Sequence, residues 1–171
     1  TKLKGIYIKG IDRPDDEVNV LKHFGNHPKI QLEIVDATKR FLAALAGKVE
    51  SKDKRVAMRG VYKEVLEEKI AEFGADFIAQ GTLYTDLVES GHGHQTGARR
   101  ARIKLHHNVN LGFSVPEILP LADMVKDNAR NLGRGLGVAE ELLTRHPFPG
   151  PGLLIRNEGE MTPERLELTR S

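Results

Sequence analysis

Apolar residues in this chain alternate over short runs, and those runs are separated by longer stretches with helical spacing. Leu3 to Ile8 alternates and carries Ile6, Tyr7 and Ile8, which predicts a strand. Pro14 to Phe24 reads as a helix: proline suits a first turn, Asp15, Asp16 and Glu17 suit the positive end of the helix dipole, and Gly25 suits the stop. Ile30 to Val35 predicts a second strand, and Thr38 to Ala46 a short helix closed by Gly47. Asp53 to Phe73 predicts a longer helix with Val61, Val65, Leu66, Ile70 and Phe73 on one side, stopped by Gly74. Asp76 to Ala79 and Glu117 to Leu121 read as short buried strands. Met124 to Leu136 and Ala139 to Arg145 read as helices, ended by Gly137 and Pro147.

Strands alternating with helices predict an α/β domain with a mostly parallel sheet. Ligands of such sheets gather at the carboxyl ends of the strands, so the chemistry is expected after Ile8, Val35, Ala79 and Leu121. The compositional break is Pro147-Phe-Pro-Gly-Pro-Gly152, a rigid connector. Beyond it, Leu153 to Arg156 reads as a strand, and Thr162 to Thr169 as a helix with Thr162 as N-cap and Pro163 at its first position. The expected division is therefore a domain over residues 1–146, followed by a connector and the start of a second domain over 147–171. No internal repeat is visible.

Composition narrows the class. The 171 residues are long enough for one domain, or one domain and part of another. With 39% hydrophobic and 29% charged residues, the balance is that of an ordinary globular protein. A net charge of +2 implies no strong pull toward nucleic acid or a membrane surface. With no Trp and 5% aromatics, a stacking platform for single-stranded nucleic acid is not expected. The lack of Cys excludes disulfides, thiolate metal sites and a thiol nucleophile, and is compatible with a reducing cytoplasm. No apolar run has the length of a membrane span, and Thr1-Lys-Leu-Lys-Gly5 lacks the apolar stretch of a signal peptide. The chain starts without Met directly before a predicted strand, which leads us to expect a fragment of a longer protein.

The candidate chemistry is concentrated between Ser90 and Pro116. This stretch has no Asp or Glu, but holds Arg99, Arg100, Arg102, Lys104, His92, His94, His106 and His107, with Gly91, Gly93 and Gly97 in its first part. A purely basic, glycine-rich loop at a sheet end suits closure over a polyanion such as a triphosphate; an ordinary basic surface loop has the same composition. Asp86 and Glu89 precede it. Carboxylates beside a phosphate-binding loop suit Mg²⁺, whereas on their own they also fit a solvated turn. Gly81 and Thr82 offer backbone and hydroxyl groups to a ligand at the same edge. His106 and His107 are adjacent, so they point in different directions and match no standard zinc spacing. A hydrogen bond to phosphate or a role in proton transfer suits them better. His23 and His27 read as surface residues. Gly133-Arg-Gly-Leu-Gly137 follows a helix rather than a strand, which rules out a dinucleotide-binding loop.

Ala79-Gln-Gly-Thr-Leu-Tyr-Thr-Asp86, Ile103-Lys-Leu-His-His-Asn-Val109 and His146-Pro-Phe-Pro-Gly-Pro-Gly-Leu153 occur in this order and at these spacings. Together with Phe41-Leu-Ala-Ala-Leu-Ala-Gly47, Lys54-Arg55 and Lys126-Asp127, they make the chain resemble the ATP-pyrophosphatase part of the GMP synthase family. The similarity is diffuse from Leu3 and firm from about Phe41 to Glu160. The resemblance implies an adenine-nucleotide hydrolase-like fold followed by the beginning of an α+β dimerisation domain. It also implies an ATP- and Mg²⁺-dependent C–N ligase of purine biosynthesis. Such enzymes adenylate the C2 oxygen of XMP. Ammonia made from glutamine by an amidotransferase domain or subunit then displaces AMP to give GMP.

By position, the resemblance makes the basic loop a lid over ATP. Lys104 would contact the ATP phosphates, Asp86 and Glu89 would be acids tied to Mg²⁺, and His106 and His107 would lie near the reacting groups. Arg156 would reach the XMP phosphate, a role its planar fork suits. Gly81 and Thr82 would border ATP. A cytoplasmic homodimer is implied, with no nucleic acid and no membrane among the partners. Two departures stand out. The family's SGGVDS pyrophosphate loop is not among these residues, and its acidic-then-Asn pattern is replaced near Lys9-Gly10. Without the phosphate-cradling amides, the 171 residues alone are expected to be inactive. The competing readings are a different ATP pyrophosphatase, such as an NAD synthetase or argininosuccinate synthase, and a non-catalytic subunit or remnant that needs another chain for its phosphate loop. His146 to Leu153 disfavours the first of these.

Overall fold

A computed structural model describes residues 2–13, 15–89, 111–144 and 158–170. The chain divides into two compact units, one formed by Thr1–Gly74 with Phe148–Ser171 and the other by Ala75–Pro147. Both are mixed α/β and each contains a small parallel sheet.

In the first unit, β1 (Lys4–Lys9) and β2 (Gln31–Asp36) pair in parallel, in register from Lys4 opposite Gln31 to Lys9 opposite Asp36. The crossover that a parallel pair requires is α1 (Asp16–Phe24), whose acidic start is anchored where the Arg13 N–H donates to Asp16 Oδ2 at 3.0 Å. Asp36 ends β2 and starts α2 (Thr38–Leu45): its Oδ1 accepts the Thr38 N–H at 2.9 Å. α3 (Ser51–Phe73) ends at Gly74 in the left-handed region, as its sequence predicts. The terminal helix, which we call α7 (Pro163–Arg170), has Thr162 before it, and the Thr162 Oγ1 accepts the Arg165 N–H at 3.3 Å.

The core of this unit is a single cluster. Ile11, Ala37, Phe41, Leu45, Met58, Val61 and Val65 meet Met161 and Leu166 there. Phe41 is wholly buried and meets Tyr62 edge-on, with ring centroids 5.2 Å apart. Met58, Val61 and Val65 recur at helical spacing along α3, which is why this stripe closes on α2. Each large side chain buried in this way contributes about 1.5–3 kcal/mol relative to exposure. The residues after the connector thus share this core, because α7 presents Leu166, and the turn before it Met161, as apolar groups that need cover.

In the second unit, β3 (Ile78–Ala79) and β4 (Glu117–Ile118) pair in parallel over two residues each, with Ile78 opposite Glu117. Both strands are shorter than the apolar runs predict. Pro120 has no N–H to offer a ladder, and residues 119–124 turn instead, with the Ala122 N–H on the Leu119 carbonyl and the Met124 N–H on the Leu121 carbonyl. The unit also holds α4 (Tyr84–Glu89), α5 (Lys126–Gly135) and α6 (Glu140–Leu143). Gly133 lies within α5, so the glycine-rich run is a helix end against α6. A Cβ there would meet Leu143 Cδ2 at 2.6 Å. No helix among the described residues is long and apolar enough to cross a membrane.

Candidate functional site

Both sheets end in loops rich in polar groups, and the two loops differ in what those groups do. At the carboxyl end of β1, Gly10 adopts φ 148, and a Cβ there would meet the Thr38 backbone at 2.8 Å. Only glycine fits so close an approach. The Gly10 N–H then donates to Asp12 Oδ1 at 2.7 Å, and the Tyr7 hydroxyl donates to Asp12 Oδ2. Asp12 is buried, and its charge is held by these donors. Burial, and secondarily the Asp12 charge, pushes the Tyr62 hydroxyl up to about 12. Lys9 lies outside this group and pairs with Glu17 at 2.5 Å. This strand end is thus closed by its own side chains.

The carboxyl end of β3 is built differently. The Gln80 N–H donates to the Ile118 carbonyl at 3.0 Å, and Gln80 Nε2 donates to Glu117 at 2.8 Å, which fixes the chain as it leaves the sheet. Gly81 is exposed. Thr82 is 4% exposed, and its Oγ1 has no hydrogen-bond partner among the described residues. A buried hydroxyl in that state costs roughly 1–3 kcal/mol, a penalty that a ligand acceptor would relieve. α4 follows at once. Its start is held from two directions: the Leu83 N–H donates to Asp86 Oδ2 at 2.9 Å, and the Tyr84 N–H donates to the Met124 carbonyl at 3.0 Å. Asp86 therefore acts as the reciprocal acid of a capping arrangement, the role that places an acid three residues after a helix cap.

Of the predicted site residues, Gly81, Thr82 and Asp86 lie together along this edge. Glu89 is the last residue of α4, one turn after Asp86. Lys104, His106, His107 and Arg156 lie outside the described residues, as does the rest of the basic loop. Among the described residues no group of three or more His, Cys, Asp or Glu is placed to hold a metal ion. Asp86 still fits Mg²⁺ in donor type, since that ion takes one or two carboxylates and completes its shell with phosphate and water.

Sequence reading missed the structural roles of three polar groups: Asp12, Arg165 and Lys54, the last noted only as part of the resemblance. Lys54 carried a usable signal. It stands four residues before Met58 and seven before Val61, on the apolar stripe of α3, and it is wholly buried. Asp12 carried none, because its burial depends on Tyr7 and on the turn at Gly10.

No protein-family model matches the chain. Curated relatives do. The chain is 45% identical over 95% of its length to the glutamine-hydrolysing GMP synthase of Thermosynechococcus vestitus, of which it covers 32%. It is 42% identical over 94% of its length to the corresponding protein of Mesorhizobium japonicum, covering 31% of it, and 38% identical to that of Thermotoga petrophila, covering 32%. The chain spans about a third of the length of these relatives.

Proposed function

We propose that this chain, a homologue of glutamine-hydrolysing GMP synthases along 94–95% of its length, contributes part of the nucleotide-activating site of such a ligase. The alignment with these relatives over nearly the whole chain is the observation that supports the reading. The reaction has two steps. The C2 oxygen of XMP attacks the α-phosphorus of ATP and pyrophosphate leaves; ammonia then attacks C2 and AMP leaves, giving GMP. The complete protein takes its ammonia from glutamine through an amidotransferase domain or subunit. It works in the cytoplasm as a homodimer.

In this reading the fold is the ATP-pyrophosphatase type over residues 1–146, with the connector and the start of a dimerisation domain over 147–171. The edge at Gly81 and Thr82 borders ATP, and the orphaned Thr82 hydroxyl is the donor with most to gain from a nucleotide oxygen. Lys104 neutralises the leaving pyrophosphate, and a fixed cation there is worth most once closure excludes water. His106 and His107 orient the reacting groups and move protons near them. Arg156 takes the XMP phosphate in a two-pronged contact. Asp86, with Glu89, would hold Mg²⁺, which supplies charge neutralisation on the polyphosphate. The 171 residues contain no SGGVDS-type phosphate loop, so by themselves they are inactive in this reading.

The test is GMP formation from XMP, ATP and ammonium salt, measured for the complete gene product and for the 171-residue chain side by side. Activity in the complete product alone is expected. GMP made by the short chain would overturn its proposed inactivity, and no GMP or AMP release from the complete product would overturn the ligase reading.

A further inference from the structure

The carboxyl end of β3 pairs a buried donor with an open backbone. The Thr82 hydroxyl is buried and has no hydrogen-bond partner among the described residues. Gly81, just before it, is exposed, and a Cβ there would meet nothing within 4 Å. A threonine hydroxyl moves between staggered positions by rotation about χ1, so it can be presented to a ligand on the open side without a backbone shift.

The groups around Thr82 limit which part of a nucleotide fits there. Phosphate is held by free backbone N–H groups or by cations. The N–H groups that follow Thr82 are already engaged: that of Leu83 with Asp86 Oδ2 at 2.9 Å, that of Tyr84 with the Met124 carbonyl at 3.0 Å, and those of Asp86 and Leu87 with the Leu83 carbonyl at 3.1 and 3.2 Å. The donor next in sequence to Thr82 therefore carries the protein's own carboxylate. Residues 75–89 and 111–125, which include both strands of this sheet, contain no Lys and no Arg, against Asp76, Asp86, Glu89, Glu117 and Asp123. The described cations of this unit, Lys126, Arg130 and Arg134, stand on α5, where the two arginines pair with Asp127 and Glu140. An anion at Thr82 would meet like charge before countercharge. Phosphate comes to such an edge through a bridging cation, the role proposed above for Asp86. Tyr84 and Val88, one turn apart on α4, are 45% and 38% exposed and add apolar surface to the same segment. A neutral, partly apolar group suits these surroundings better than a phosphate does.

We propose that Thr82 is a binding residue for the nucleoside part of ATP: its hydroxyl donates to a neutral acceptor, a ribose oxygen or a purine ring nitrogen, and takes no part in holding the phosphates. The identity of the nucleotide rests on the ligase reading; the choice of nucleoside over phosphate rests on the charges and donors at this edge. The test is calorimetric titration of the complete protein with adenosine, AMP, ATP, pyrophosphate and XMP, for the wild type, Thr82→Val and Thr82→Ser. Thr82→Val removes the donor at nearly constant shape, and Thr82→Ser keeps it. In Thr82→Val the dissociation constants of adenosine, AMP and ATP are expected to rise by the same factor, about three- to tenfold, with pyrophosphate and XMP unchanged. Thr82→Ser is expected to bind all five nearly as the wild type does. A loss confined to ATP and pyrophosphate would make Thr82 a phosphate ligand and overturn the proposal. So would a loss confined to XMP, which would assign the hydroxyl to the other substrate, or no loss for any ligand. If the wild-type protein makes no GMP, the ligase reading fails. The adenosine and AMP titrations then still decide the contact, and a wild type that binds neither overturns it.

Discussion

The two units bury their residues in opposite ways. In the first, Phe41, Leu45, Met58 and Val65 are fully enclosed, and even the polar Asp12, Asp16 and Lys54 are buried. In the second, Leu111 is the buried hydrophobic residue among those described, while Phe77 is 57% exposed and Leu136 is 74% exposed. The first sheet has six residue pairs and the second has two. The buried hydroxyl of Thr82, without a partner among the described residues, and the predicted ligand acid Asp86 belong to the second unit. Among the described residues, the buried apolar groups are concentrated in the first unit, and the candidate ligand contacts lie in the second.

Substitutions in each unit put that contrast at risk. The largest effect is expected from Phe41→Ala, which empties the centre of the first core and should cost about 3–5 kcal/mol in a denaturant titration. A loss below about 1 kcal/mol, the level of an ordinary surface change, would show that the core does not govern stability. Next is Asp86. Asp86→Ala removes the acceptor for the Leu83 N–H and should lower stability by about 1 kcal/mol. Asp86→Asn keeps an oxygen for that bond but loses the charge. If Asp86 serves only α4, the Asn variant should react with ATP and XMP as well as the wild type. If it also holds Mg²⁺, as we expect, XMP adenylation should fall and shift to higher Mg²⁺ concentrations.

Thr82→Val should leave thermal stability unchanged, or raise it by up to about 1 kcal/mol, because it deletes a buried hydroxyl that has no partner among the described residues. ATP affinity of the complete protein should weaken at the same time. A stability loss with unchanged ATP affinity would move Thr82 to the structural side of the comparison. The smallest effect lies at Glu33, on β2. Its hydrogen bonds with Lys4 and Lys69, the latter at 2.7 Å, hold its carboxyl below the usual glutamate range. A depressed folded value makes this contribution complete above the ordinary glutamate pKa of about 4.3 and lost as pH falls through the folded value. Glu33→Gln should therefore flatten the acid limb of the stability–pH curve and lower stability slightly near pH 7, where the contribution is complete; the loss stays small because the pair is part-exposed and salt-screened. A larger loss at pH 7 than at pH 3 to 4 would fit this reading; an equal loss at both would not.

Much of this molecule is legible in its residue pattern. The described strands and helices of the first unit lie within two residues of their predicted limits, while the strand predicted over Leu153 to Arg156 lies outside the described residues. Local rules suffice there: alternation for β1 and β2, acids at the start of α1, and glycine at the end of α3. In the second unit β3 and β4 shrink to two residues and α4 goes unpredicted, because their limits depend on Pro120, on the turn at 119–124 and on a reciprocal cap at Asp86. At the site, the sequence pointed to Gly81, Thr82 and Asp86 as one edge, and their order along a strand end and the following helix was enough to bring them together. The burial of the Thr82 hydroxyl was not legible, since no local spacing rule places a threonine after a strand end inside or outside the fold.

By itself, then, the sequence determined the alternation of elements and the helix stops, which follow from spacing along the chain, and it carried the motifs by which the chain resembles the GMP synthase family. Tertiary structure alone decided that Asp12 turns inward to Tyr7 and Gly10, and that Lys54 crosses to the Gly159 carbonyl. It also decided that Met161 and Leu166 complete a core begun at Ile11. The physical reason is common to all three. A buried polar or apolar group is stabilised by whatever fills its surroundings, and spacing along the chain does not say what that is, whether the partner stands a few residues away, as for Asp12, or more than a hundred, as for Lys54.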